Sequence, residues 1–365
     1  MSPSTAFKTV LRSSSRLATI LALLVFTTTS LSAQTAAHKP VVAIVGDPAG
    51  VELTDFLVPH ATLAESGAAQ VLIVSARAVK FALKPSTMMV DPDMTFAAFD
   101  KSNPHGADYV IVPAMQDATN TAVRTWLQAQ AAKGATIVSI CEGAFVVAGA
   151  GLFDGRNATT HWHALKDIEK KYPRTRWIRN TRYVVDGRRI STTGVSASLP
   201  VSIYLIEQIA GRTAADSAAR KLGVASWDAR HATDAFRLTN WMYIRAASNY
   251  FAWWRHDVVA VPVVDGVDEV ALALTMDAIP RTMRAKALTW SEKGGSVVGR
   301  QGLRISVDRA RDAIDPSARQ FTLPPYSTAS ATALDSALVR LGAWYGQNAA
   351  ELIRLGMEYP RLAKQ

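Results

Sequence analysis

The stretch ATIVSICEGAFVVAGAGLFDG, Ala135 to Gly155, contains Cys141, the only cysteine of the 365-residue chain. The β-branched run TIVSI reads as a short buried strand, and GAFVVAGAG reads as the start of a helix. No loop separates them, so the chain must turn sharply at Cys141. Such a turn aims the first amides and the positive end of the helix at the sulfur, which favours thiolate over thiol and leaves N–H groups near a developing oxyanion. The Glu142 and Gly143 amides are the expected donors.

Working outward, strand and helix alternate. VVAIVGD from Val41, ELTDFLVPHATLAESG and AQVLIVSA give strand, helix and strand. A hairpin-like region runs to about Met94, and ADYVIVPAM, TNTAVRTWLQAQAAKG and ATIVSI repeat the alternation up to Cys141. Short apolar strands separated by helices predict an α/β fold, a parallel sheet sandwiched by helices. Paired strands around the Asp186-Gly187 turn and a helix over SLPVSIYLIEQIAG follow.

The N-terminus has a different character. Lys8, Arg12 and Arg16 precede the apolar run LATILALLVF, Leu17 to Phe26, and then small polar residues. That layout is a signal peptide over residues 1–36, with cleavage near Ala33 or Ala36 and a periplasmic or secreted destination. Loss of the leader leaves 37 basic against 30 acidic residues, a net charge of +7 instead of +10. The mature protein stays basic, but it shows no zinc-finger spacing or basic helix, so no nucleic-acid partner is expected. No membrane contact is expected after cleavage either. A lone cysteine forms no internal disulfide, so it is either buried and inert or free and reactive.

The segment SICEGAFVVAGAGLFDGRNATTHWHALKDIEKKYP, with GVELTDFLVP upstream and RYVVDGRRISTTGVSASLPVSIYLIEQIAG downstream, resembles the ThiJ/PfpI superfamily of the class I glutamine amidotransferase-like fold. It is most similar to the branch that holds isonitrile hydratase and the sensor domains of AraC-type regulators. The resemblance covers about Val41 to Gly223 and implies a flavodoxin-like sheet. It places Cys141 on the family's elbow cysteine, Asp55 on the acidic residue that contacts that sulfur, and His161 on a histidine found nearby in several members. A carboxyl held against the sulfur shuttles a proton, and the thiolate attacks an electrophilic carbon without a cofactor. His161 is assigned an auxiliary role.

Two departures bear on the pocket. Pro113-Ala114-Met115 replaces a glycine-rich turn, so Ala114 and Met115 are expected to reshape the pocket. Glu142 directly after Cys141 adds a negative charge whose field opposes thiolate formation. Beyond this domain, placed at residues 38–224, residues 225–256 form an aromatic-rich connecting segment. Its helical spacing predicts a stripe facing the core between two halves. Residues 257–365 read as a truncated, degenerate second repeat: VVAVPVVDGVDEVALAL from Val258 echoes VVAIVGDPAGVELTDFL from Val41, and FTLPP falls where YVIVP fell. There Ala271 stands in place of Asp55.

No metal-ligand spacing and no nucleotide loop is found, so neither metal nor cofactor is expected. The sequence therefore supports a small-molecule substrate or ligand and two functions. One is a cysteine-dependent hydratase or C–N hydrolase. The other is a non-catalytic ligand-binding or redox-sensing protein whose Cys141 oxidises. A homodimer or an intramolecular pseudo-dimer fits either.

Overall fold

The computed structural model describes residues 39–237 and 239–360; the predicted leader lies outside the described residues. From Lys39 onward the chain forms one compact unit. The strands are β1 (Val41–Gly46), β2 (Val51–Glu52), β3 (Gln70–Ser75), β4 (Phe81–Lys84), β5 (Met89–Val90), β6 (Met94–Thr95), β7 (Tyr109–Val112), β8 (Thr136–Ser139), β9 (Asn157–Ala158), β10 (Arg176–Trp177), β11 (Tyr183–Asp186) and β12 (Arg189–Thr192) in the first part. The second part holds β13 (Asp257–Pro262), β14 (Ala285–Ser291), β15 (Ser296–Val298), β16 (Arg304–Ser306), β17 (Arg309–Ala310) and β18 (Arg319–Gln320). The helices are α1 (Leu53–Ser66), α2 (Phe96–Ser102), α3 (Thr121–Ala132), α4 (Gly143–Gly149), α5 (Leu165–Lys171), α6 (Ser198–Ala210), α7 (Arg212–Leu222), α8 (Asn240–Phe251), α9 (Glu269–Arg281), α10 (Ala333–Tyr345) and α11 (Gln347–Gly356).

The main sheet has seven strands in the order β11-β12-β8-β7-β1-β3-β6, all parallel except β11, which is antiparallel to β12. Every residue of the central β1 is buried, as a continuous apolar run between two strands requires. β8 ends at Ser139 beside Val112 of β7 and Ser191 of β12, so the turn after it emerges at the carboxyl edge of the sheet. Ligand sites in open α/β sheets form at that edge.

The second sheet runs β17-β14-β13-β18, with all its pairings parallel. Its neighbour order follows that of β6-β3-β1-β7 in the main sheet, and α9 links β13 to β14 as α1 lies between β1 and β3. The two parts share a five-stranded sheet, in which β16 pairs with β5 through Ile305 opposite Val90. They also meet at α1 and α9. Leu53 to Leu63 of α1 and Glu269 to Ile279 of α9 are buried without interruption, because each helix has protein on all sides.

The aromatic segment departs from expectation. Phe236 and Trp227 are buried, but α8 contributes no buried residue, and Trp241, Ile244 and Phe251 point outward. The side it turns to the protein carries Met242, Ala246 and Asn249, all half-buried. Periodicity fixed a stripe but not which way it faces. The contact between the two parts is made by α1 and α9 instead.

Candidate functional site

Cys141 sits at the end of β8 with φ 53°, a left-handed conformation that costs a residue bearing a Cβ about 1–3 kcal/mol. Neighbouring threonines over-determine it. The Thr160 hydroxyl donates to the Cys141 carbonyl at 2.8 Å, and the Cys141 N–H donates to Thr192 Oγ1 at 3.3 Å. Gly143 is glycine for a steric reason: a Cβ there would collide with the Val112 and Pro113 carbonyls, where the turn presses on the exit of β7.

The expected oxyanion donors are altered by the same turn. The Gly143 N–H is already donated to the Ile140 carbonyl at 2.8 Å, so Gly143 serves close packing and not an oxyanion. This leaves the Glu142 amide as the remaining candidate. Ala114 contributes differently from a pocket wall, since its N–H donates to Asp55 Oδ2 at 3.1 Å and its carbonyl accepts from Glu52 N at 2.8 Å. Met115 is buried and bridges to Val51.

Asp55 lies in the first turn of α1, wholly buried, and its Oδ1 has no partner. Glu52 caps the helix by accepting the Asp55 N–H at 2.6 Å. Pro59 lacks the N–H that would otherwise bond back to the Asp55 carbonyl. Burial pushes the Asp55 carboxyl up to about 7, against the Ala114 hydrogen bond that holds it down. Burial, then Asp277 and Asp55, drive Glu52 well above the carboxylate range.

The countercharge comes from the second part of the chain, and motif reading missed it. Arg281, in the last turn of α9, bonds Asp277 Oδ1 at 2.8 Å, Glu52 Oε1 at 3.2 Å and the Gly356 carbonyl at 2.8 Å. Asp277 also accepts from Thr54 Oγ1 of α1 at 3.0 Å. Burial opposes the charge on Arg281, yet Asp277 and Glu52 outweigh it and hold the guanidinium firmly protonated. These partners lie more than 200 residues apart in sequence, and only the packing of α9 on α1 brings them together.

The thiol responds to all of this. Burial, followed by the fields of Asp55, Glu142 and Glu52, drives Cys141 well above its ordinary range, and Arg281 alone pulls the other way. The expectation of a thiolate favoured by the following helix is thereby corrected. α4 is only two turns long, and burial with three carboxyls outweighs its dipole. The expected opposing field of Glu142 is present. Glu142 is itself exposed along much of its surface, yet desolvation by nearby protein raises its carboxyl, while His163 and Arg281 lower it.

His161 is buried, and its Nε2 has no partner. Burial, then the charge of Arg281, lowers it to about 3, so the ring is neutral at physiological pH. It packs beside a C-terminal strap that the sequence did not disclose. Glu358 Oε2 accepts from Gly194 N at 2.7 Å and Trp162 N at 3.2 Å, and its Oε1 meets His231 Nε2 at 2.8 Å. Ser196 Oγ donates to the Glu358 carbonyl at 2.7 Å, and Trp162 Nε1 donates to the Leu355 carbonyl at 2.9 Å. The strap thus secures the loop bearing His161.

Cys141 is only 6% exposed, so anything reaching the sulfur must be slender. A separate cavity of about 370 Å³ is lined by Thr54, Val58, Leu199, Leu274, Leu334 and Tyr359 among others, and Cys141 is not in its wall.

A mainly parallel sheet flanked by helices, with a positive-φ cysteine at its carboxyl edge and a buried carboxyl acting on it, defines an α/β protein. Residues 39–208 match the DJ-1/PfpI family, and the chain carries a DJ-1/PfpI family domain over that stretch. Among curated relatives, the HTH-type transcriptional regulator CdhR of Pseudomonas aeruginosa is 36% identical over 94 residues, 26% of this chain and 28% of that protein. Isonitrile hydratase of Pseudomonas putida is 31% identical over 88 residues, 24% of this chain and 36% of that protein. The chain thus spans about a third or less of the length of these relatives. Among solved structures, Drosophila melanogaster DJ-1beta aligns with TM-score 0.46 at 18% identity, over 51% of this chain and 99% of that one. A ThiJ/PfpI family protein from Pseudomonas syringae aligns with TM-score 0.44 at 23% identity, over 50% of this chain and 74% of that one.

Proposed function

We propose that this protein is a cofactor-independent cysteine enzyme that adds water across a small, uncharged electrophile or hydrolyses its C–N bond. The observation that carries the reading is Asp55: a fully buried carboxyl with an unpartnered oxygen, titrating near neutrality, whose field acts on a strained Cys141. Strain and perturbed acidity concentrate at working sites. Because the resting thiol is protonated, attack needs its proton removed, and ionised Asp55 accepts it as the S–C bond forms. Asp55 then returns the proton to the adduct. On an amide that proton goes to the nitrogen, so the C–N bond breaks and the amine leaves a thioester; on an isonitrile it goes to the carbon and leaves a thioimidate. Water next adds to the same carbon. Its proton passes through Asp55 to the sulfur as the thioester C–S bond breaks and the acid leaves. In the thioimidate it passes to the nitrogen, and the hydroxyl proton then goes to the sulfur as the C–S bond breaks and the formamide leaves. The slight exposure of Cys141 suits a thin substrate such as an isonitrile, and one relative is an isonitrile hydratase.

The test is turnover of isonitriles, aldehydes and small amides by wild type, Cys141→Ser and Asp55→Asn. Loss of turnover in both variants supports the mechanism; equal turnover in all three rejects it. A ligand-binding role without turnover is the second reading. It is favoured by the 370 Å³ cavity, whose wall includes Thr54, the residue that bonds Asp277. Ligand binding that survives in Cys141→Ser, with no turnover in wild type, selects it.

We also read residues 257–360 as part of a degenerate copy of the first βαβ unit, forming an intramolecular pseudo-dimer across α1 and α9, and the protein as exported. A processed N-terminus near Ala33 or Ala36 in periplasmic extract tests the export. A full-length N-terminus in the cytoplasm refutes it.

A further inference from the structure

α8 is mounted with its apolar side away from the protein. Trp241, Tyr243, Ile244, Tyr250, Phe251 and Trp254 are 52–70% exposed. Its attachment is light: Met242 and Ala246 turn inward, Asn249 Nδ2 donates to the Thr282 carbonyl at 3.4 Å, and His256 bonds the Asn249 carbonyl at 2.8 Å. A solvent-facing helix ordinarily shows the reverse arrangement, and an exposed apolar patch of this extent marks an interaction surface.

The charge on this surface says what it fits. Residues 235–256 contain Arg237, Arg245 and Arg255 and no aspartate or glutamate. The Arg245 guanidinium lies over the Trp241 ring at 4.5 Å, so cation and aromatic are presented together. A second copy of this chain docking on the same face about a two-fold axis would set arginines against arginines, which opposes self-association. Tryptophan and tyrosine interleaved with arginine match an anionic bilayer surface, where the rings enter the headgroup layer and the cations meet lipid phosphates. Twelve helical residues rise about 18 Å, too short to cross a bilayer, and no helix among the described residues is long and apolar enough to do so. The helix would therefore lie along the surface.

We propose that α8 and the turn following it form a docking surface for anionic lipid headgroups. This reverses the expectation that the mature protein avoids membranes, and it is independent of the chemistry assigned to Cys141.

The test is flotation of the full chain with phosphatidylcholine vesicles containing about one quarter phosphatidylglycerol, against pure phosphatidylcholine, at low salt. Wild type is expected to float with the anionic vesicles. Partitioning should fall at least about tenfold on neutral vesicles, in Trp241→Ser/Phe251→Ser and in Arg245→Glu/Arg255→Glu, and should weaken in about 0.5 M salt. An unchanged melting temperature identifies the variants as folded, since all four positions are exposed. Wild-type partitioning by Trp241→Ser/Phe251→Ser would overturn the proposal, because binding would then reside elsewhere, the Leu17–Phe26 run included. Equal binding to neutral vesicles would also overturn it, as would a lipid-free dimer that Trp241→Ser/Phe251→Ser dissociates.

Discussion

The first turns of α1 and α9 make the same local structure and put it to different ends. In α1, Glu52 caps the helix and accepts the N–H of Asp55; in α9, Asp268 caps and accepts the N–H of Ala271 at 3.0 Å. The third helical residue is therefore a buried carboxyl in one and a buried methyl in the other. Both helices follow the first strand of a parallel unit, yet only the main sheet continues to a strand that delivers a cysteine. What α9 supplies instead is Asp277 and Arg281, which reach across to Thr54 and Glu52. The comparison teaches that the second part carries neither the cysteine nor the buried carboxyl at its helix start, and instead supplies the electrostatic support of the first.

The sharpest way to break this comparison is to remove the support. Arg281→Met leaves the buried Asp277 and the half-buried Glu52 without their cation; truncating one member of a buried ionic cluster costs about 3–5 kcal/mol, and the partial exposure of Arg281 and Glu52 puts the expected loss at about 2–4 kcal/mol. Urea unfolding should show that loss, with Arg281→Lys recovering part of it. A loss below about 1 kcal/mol would mean that the carboxyls are neutral without Arg281 and that the second part is not their support.

Restoring the missing carboxyl tests the other half of the comparison. Ala271 is 3% exposed, and the cation at that turn, Arg300, already faces two carboxylates, Asp268 and Glu65, each at 3.9 Å. Ala271→Asp should destabilise by roughly 2–4 kcal/mol at pH 8 and by less at pH 5, where the new carboxyl takes up a proton. Equal stability to wild type at both values would show that α9 keeps a place for a carboxylate.

Asp55 carries the next effect. Its folded pKa is raised to about 7 from 3.8, so the folded state binds the proton more tightly than the unfolded chain. The stability tied to that proton is fully present below about pH 4 and is lost as pH rises toward 7, after which the curve is flat for this group. Asp55→Asn removes the titration. The fall in stability from pH 4 to pH 8 should shrink by roughly 2 kcal/mol, less than the full shift implies because Glu52 titrates with it. An unaltered slope would assign the whole fall to other groups.

These effects differ in how far the sequence announced them. Strand and helix alternation gave the main sheet because local periodicity sets β1, α1 and β3. Cys141, Asp55 and His161 could be singled out as candidates because each stands in a short motif, and the structure shows the field of Asp55 acting on Cys141. Arg281, Asp277, His231 and Glu358 carry no such mark; their roles exist only once α9 lies on α1 and the chain after α11 folds back over Gly194. The direction of the Cys141 shift was half visible. Glu142 stands next to it in sequence, but burial, the largest cause, is a property of the packed molecule. The outward face of α8 was hidden for the same reason: a helical period is blind to which side meets protein.

The smallest effect isolates that one local term. Glu142→Gln removes a charge that raises the Cys141 thiol and leaves the elbow backbone in place. The thiol should then lose its proton more readily, and alkylation at pH 8 should run about two- to threefold faster than in wild type. The gain should shrink as pH falls, because the raised Glu142 carboxyl takes up a proton and the substitution then removes less charge. Ala271 has no thiol near it, and a charge change at the second helix start has nothing to report on. A rate ratio that stays at one from pH 5 to pH 8 would place the control of Cys141 entirely in burial and in the Asp55, Glu52 and Arg281 cluster, and so in the α1–α9 contact and not in the elbow itself.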